Sequence, residues 1–321
     1  MKRILVLASI LIFSCSNDPQ NCDILIENGM IYDGTGDKPY KGVVAISNDK
    51  IIYVGKNKKF IADKVIDATD KAVSPGFINM LSWAYDTLMN DGRSLSDLKQ
   101  GVTLEVFGEG TSPGPSGNIE DNTYVSFGEA MQTLEDNGVS TNIASYLGAT
   151  TVRIQEIGYA NRKATDEEME SMRNIVKLAM EQGAIGIGSS LIYAPADYAD
   201  TNELIELSKV ASAYGGRYIS HMRNEDSRIL SAVDELIEIA EQANIPAEIY
   251  HLKASRQSNY HLLDSVISKV EEARSRGLEI TADMYTYTAS STGLTGVIPT
   301  WVQEGGREAW INRMKRPEIR K

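Results

Sequence analysis

The chain has only three histidines, and two of them close similar stretches thirty positions apart. One is His221 in "GGRYISHMRNE"; the other is His251 in "PAEIYHLKAS". In each, a short run rich in β-branched and aromatic residues ends in the histidine, and a cation follows two residues later, Arg223 or Lys253. Two imidazoles at matching points of successive units are suited to a divalent metal, since neutral ring nitrogen is a favoured zinc donor. A third donor is available in "EVFGEGTSPGPSG", where Glu109 stands between Gly108 and Gly110, residues that let the backbone approach closely. A zinc ion on Glu109, His221 and His251 with one open position would lower the pKa of a bound water toward ~7 and polarise a carbonyl. The competing reading is two structural strand-end histidines and a solvated loop carboxylate. Lys253 and Arg223 either hold a substrate carboxylate or sit on a rim. The third histidine, His261, follows "RQSN" and reads as surface or packing.

These positions need a scaffold. Residues 23–71 read as short strands and turns, with "SNDK" as a hairpin signal inside "GVVAISNDKIIYVG". From residue 72 onward, apolar strands alternate with amphipathic helices. The strands are expected at 72–81, 101–108, 142–149, 184–192, 217–222, 246–252 and 278–285. Thr165 and Glu168 form a capping box before a helix with Met169, Met172, Val176 and Met180 at helical spacing; Gly183 closes it. Thr201 is expected to cap the next helix, and Gly215 to end it. Repeated βα units imply a parallel sheet, either doubly wound or a (β/α)8 (TIM) barrel. No G-x-G-x-x-G opens the first unit, which argues against a dinucleotide-binding fold. In a barrel the strand C-termini carry the chemistry, and Glu109, Tyr193, His221, His251, Lys253 and Tyr285 all fall there. Seven strands are expected before Lys321, so residues 72–321 read as a barrel truncated before strand eight.

The first fifteen residues, "MKRILVLASILIFSC", have a basic start and an apolar run too short to span a bilayer. They read as an export signal of the bacterial lipoprotein type, with Cys15 as the lipidated residue and 16–22 as a tether. The expected location is therefore the bacterial envelope, with membrane contact only through the lipid anchor. Cys22 is the other cysteine, so there is no disulfide framework. The net charge of -12 argues against a nucleic-acid partner.

"GMIYDGTG", "SPGFIN", "GVTLEVFGEG", "YISHMRNE", "YHLKAS" and "ADMYTYTASSTGL" together resemble the D-aminoacylase group of the amidohydrolase superfamily, the N-acyl-D-amino-acid deacylases. The resemblance runs from about residue 23 to the last residue. It implies a metal-dependent (β/α)8 barrel with a small β-sandwich portion, and cleavage of the amide of an N-acyl-D-amino acid by metal-activated water. It also implies His221 and His251 as zinc ligands, with Lys253, Tyr193 and Ser290 binding the small-molecule substrate. The chain departs from the group's pattern in three places. The H-x-H after strand one is replaced by Leu81 and Trp83, neither a metal ligand, so one ion is expected. Where the family has "GNCG", this chain has "GEG", with Glu109 as the nearest substitute. The general-base aspartate follows strand eight in the superfamily and is expected beyond Lys321; Asp283 is not that residue by motif. Two other readings remain at this level: an amidohydrolase acting on cyclic amides, of dihydroorotase or hydantoinase type, and a non-catalytic ligand-binding surface lipoprotein.

Overall fold

In the computed structural model the described residues are 19–56, 58–118 and 121–320. The export signal and Cys15 lie outside them. The chain divides into two compact units after Gly76.

In the first unit, β1 (Gln20–Ile31) pairs antiparallel with β2 (Tyr40–Ser47) and parallel with β4 (Phe60–Asp67) and β5 (Ala72–Val73). β2 pairs antiparallel with β3 (Lys50–Gly55) through the predicted turn, where Asn48 takes the left-handed φ of 54° that asparagine tolerates. Cys22, Leu25 and Ala45 are buried at the centre. Residues 20–22 were expected to be tether and are strand instead, because Gln20 already pairs with Phe60 and Cys22 is buried.

The second unit is built of βα repeats. Its strands are β6 (Phe77–Asn79), β7 (Val102–Phe107), β8 (Asn142–Ser145), β9 (Leu147–Gly148), β10 (Gly186–Ser190), β11 (Arg217–His221), β12 (Ala247–Ile249) and β13 (Ile280–Ala282). Every pairing is parallel, in the orders β6-β7-β8 and β9-β10-β11-β12-β13. β8 and β9 are halves of one strand interrupted at Tyr146. Strand order follows chain order throughout. A doubly wound sheet reverses at a switch point, whereas a barrel wall does not. The expected strand at 72–81 is split by Pro75–Gly76: its first part pairs with β1 and its last part opens the barrel wall.

Two faces of these strands are buried separately. Outward residues Leu147, Ile187, Tyr218 and Ile249 pack under the helices Asp166–Glu181, Thr201–Ala213 and Ile229–Ala243. Inward residues Val106, Tyr146, Ile219 and Tyr250 form a second cluster. The Thr165–Glu168 capping box is present. For the next helix the cap is Asp200, whose carboxylate accepts the Glu203 N–H at 2.9 Å. Thr201 is the first helical residue, and its hydroxyl donates to Glu235. No helix among the described residues is long and apolar enough to cross a membrane.

Thr165→Ala removes one side of the capping box and should lower stability by about 1 kcal/mol in chemical denaturation, with the m-value unchanged.

Candidate metal centre

Three strand ends converge. Side chains alternate along a strand, so His221 at the end of β11 shares the inward face of Ile219. Glu109 follows β7 on a loop that only glycines permit. Gly108 has φ 106° and would drive a Cβ into the Tyr146 carbonyl; Gly110 has φ 73° and lies against Ser190. His251 is reached differently. Tyr250 already points inward, so continued strand geometry would turn His251 away. Instead His251 adopts φ 38°, a left-handed conformation that costs a non-glycine residue free energy. Asp283, one residue past β13, compensates by accepting the His251 backbone N–H at 2.6 Å.

The result is a buried triad. Glu109 Oε1 lies 2.9 Å from His221 Nδ1 and 3.7 Å from His251 Nε2, and the two imidazoles meet edge to face at 4.5 Å. The residues are 6–9% exposed, and one donor atom from each lies within 4.8 Å of the others. A tetrahedral zinc ion with bonds of 2.0–2.1 Å holds its nitrogen and oxygen donors about 3.3 Å apart. The two distances to Oε1 bracket that value, and two imidazoles with one carboxylate form a chemically apt donor set, so the residues fit a metal ion. Burial pushes the Glu109 carboxyl up, but His221, His251 and Trp83 outweigh it and hold it at about 2. Burial pushes the His251 imidazole down, but Glu109 and Glu225 on opposite nitrogens raise it to about 9.

Two neighbours of the triad escaped the sequence reading. Glu225 sits 3.0 Å from His251 Nδ1 and 3.8 Å from His221 Nε2, behind both rings. Its place four residues after His221 was the available signal. Trp83 donates its indole N–H to Glu109 Oε2 at 2.8 Å; from sequence it registered only as the absence of a ligand.

The expected substrate-binding residues are close by but not equivalent. The Tyr193 ring packs edge-on against His221 at 5.5 Å, and its hydroxyl is 2.7 Å from that of Thr292. The Lys253 ammonium is ion-paired with Glu225 at 2.7 Å and lies 3.0 Å from His251 Nδ1. Ser290 is exposed and shares with Lys253, Tyr260, Tyr285 and Tyr287 a cleft of about 190 Å³. Arg223 is turned away: it pairs with Glu235 and donates to the Asp197 and Ala199 carbonyls, a structural role. His261 is exposed in a short 3-10 turn.

No protein-family profile matches this chain. A D-aminoacylase from Alcaligenes xylosoxydans xylosoxydans is 29% identical over 291 residues, 87% of this chain and 60% of that protein. A crystal structure of D-aminoacylase superposes with a TM-score of 0.74 at 27% identity, over 84% of this chain and 59% of the other. The chain is homologous to the D-aminoacylase family of the amidohydrolase superfamily. N-acyl-D-glutamate deacylase from Bordetella bronchiseptica, solved with zinc and a phosphonate inhibitor, gives a TM-score of 0.72 at 25% identity, over 84% and 59%. The α/β fold of parallel strands with an N-terminal β unit is thus that of the (β/α)8 amidohydrolase barrel. The chain spans about three fifths of the length of these D-aminoacylase relatives.

The two shifted groups set a pH window for the metal-free chain. His251 rises from 6.5 to about 9, so its contribution to stability is complete below pH 6.5 and is lost as pH rises through 9. Glu109 falls from 4.5 to about 2, so its contribution is complete above pH 4.5 and is lost as pH falls through 2. The difference in Tm between the wild-type chain and His251→Gln, both metal-free, should therefore shrink from pH 6.5 to 9.

Proposed function

We propose that this chain carries the metal site of a zinc-dependent hydrolase that cleaves N-acyl-D-amino acids to a carboxylate and a free D-amino acid. The observation that carries the reading is the convergence of Glu109 Oε1, His221 and His251 in a buried cluster at strand C-termini. There a bound metal supplies an activated water and Lewis-acid polarisation of the scissile carbonyl. The residues of the chain do the rest. His221 and His251 present ring nitrogens toward Glu109. Glu225 Oε1 lies 3.0 Å from the far nitrogen of His251; accepting a hydrogen bond there would leave Nε2 free as the metal donor. The Lys253 ammonium, held by Glu225 and near the His251 carbonyl, stands with Tyr193 and Ser290 to orient the substrate carboxylate. The homology to deacylases of D-amino acids supports the substrate class.

The same proposal includes export, lipidation of Cys15 and an envelope location; the supporting signal is the leader sequence. The partner is a small molecule, and a net charge of -12 suits neither DNA nor RNA.

Either His221→Ala or His251→Ala in the full-length protein should remove bound zinc and lower hydrolysis of an N-acetyl-D-amino acid by at least ~10³-fold, since without its metal the site has no activated water. The L-enantiomer serves as control. Undiminished turnover in either variant would contradict the proposal.

A further inference from the structure

Glu109 has two oxygens, and they face different partners. Oε1 is turned to the two imidazoles, and Oε2 accepts the Trp83 indole N–H at 2.8 Å. An indole can only donate, and a hydrogen bond to an ionised, buried carboxylate is among the stronger ones.

Trp83 is fixed from beneath. Its neighbour Ser82 donates its backbone N–H to the Val106 carbonyl at 2.8 Å and its hydroxyl to Glu105 Oε2 at 2.7 Å. The Ser82 hydroxyl in turn accepts the Ala84 N–H at 3.2 Å. Glu105 is 1% exposed and is also held by Ser94 and Thr141. Ser82 is thus tied to β7, the strand that ends two residues before Glu109, and Ala84 is tied to Ser82. The indole itself is 62% exposed and walls a cleft of about 220 Å³ with Phe107, Glu109 and Pro113. Its burial is too slight for packing to be its main contribution.

We propose that Trp83 is a positioning residue for the metal centre: its indole N–H holds Glu109 as a one-oxygen ligand and competes for the carboxylate oxygen a second cation would use. The chain therefore takes one ion at this site. The inference rests on the metal reading above and adds to it a residue that acts through Glu109. Partners of this kind, which orient a ligand without binding the ion, change metal affinity by about 10–100-fold when removed.

The test compares the full wild-type chain with Trp83→Phe, which keeps an aromatic ring and removes the donor. Zinc uptake is read by equilibrium dialysis and by competition with a chromophoric chelator. Coordination is read from the visible absorption of the Co(II)-loaded chain. Circular dichroism confirms that both chains are folded, as expected for a change at a largely exposed ring. The wild type should take one zinc per chain. Trp83→Phe should bind it about 10–100-fold more weakly. Its Co(II) bands should also weaken, because a freed Oε2 raises the coordination number, and higher-coordinate Co(II) absorbs less strongly than four-coordinate. A Trp83→Phe chain that matches the wild type in affinity and spectrum overturns this inference and leaves the metal reading standing. Two ions per wild-type chain at the triad also overturn it. A wild-type chain that takes up no zinc overturns the metal reading and this inference with it.

Discussion

A buried carboxylate is tolerable only when its oxygens are paired, and the site is arranged around meeting that condition at Glu109. The residue is 8% exposed. One oxygen faces His221 and His251, and the other receives the Trp83 indole. Meeting this demand requires a left-handed glycine on either side of Glu109, an inward-facing histidine at the end of β11, a left-handed turn at His251, and Trp83 pinned over β7. None of these features is favourable alone. The positive φ at His251 in particular persists because Asp283 binds its N–H and Glu109 and Glu225 bracket its ring.

Carboxylates and nitrogen bases alternate outward from this centre. Glu109 is followed by the two imidazoles, then by Glu225, then by Lys253. In the metal-free chain a proton on His251 supplies the positive charge between the two carboxylates. A divalent cation satisfies the same geometry more fully, since it can bind Oε1 and both rings at once. The site is therefore coherent with either occupant, and removal of one member leaves its buried neighbours with uncompensated charge.

Much of this was legible in the sequence where a residue's position follows from strand periodicity. His221 shares its face with Ile219, and the glycines flanking Glu109 announce a close approach. Recurring βα units gave the parallel strand order, and the family motifs pointed to the same residues. What was not legible depends on long-range pairing. His251 lies out of phase with its strand and is re-aimed by a backbone turn that Asp283 supports from the next strand. Asp200 rather than Thr201 caps its helix because the Thr201 hydroxyl is drawn to Glu235 on a neighbouring helix. Arg223 has the same sequence setting as Lys253, two residues after a histidine, yet Glu235 and two carbonyls capture it. Trp83 read as a missing ligand because an indole cannot bind a metal; its N–H becomes informative only once Glu109 is seen within reach.

The central claim is that Glu109, His221 and His251 share one cation. The most direct measurement is an anomalous difference map from crystals of the zinc-soaked protein, collected on both sides of the zinc absorption edge. A single strong peak is expected within bonding distance of Glu109 Oε1, His221 Nδ1 and His251 Nε2, with Trp83 still bonded to Oε2. No peak there, or a peak bound to other side chains, would contradict the claim.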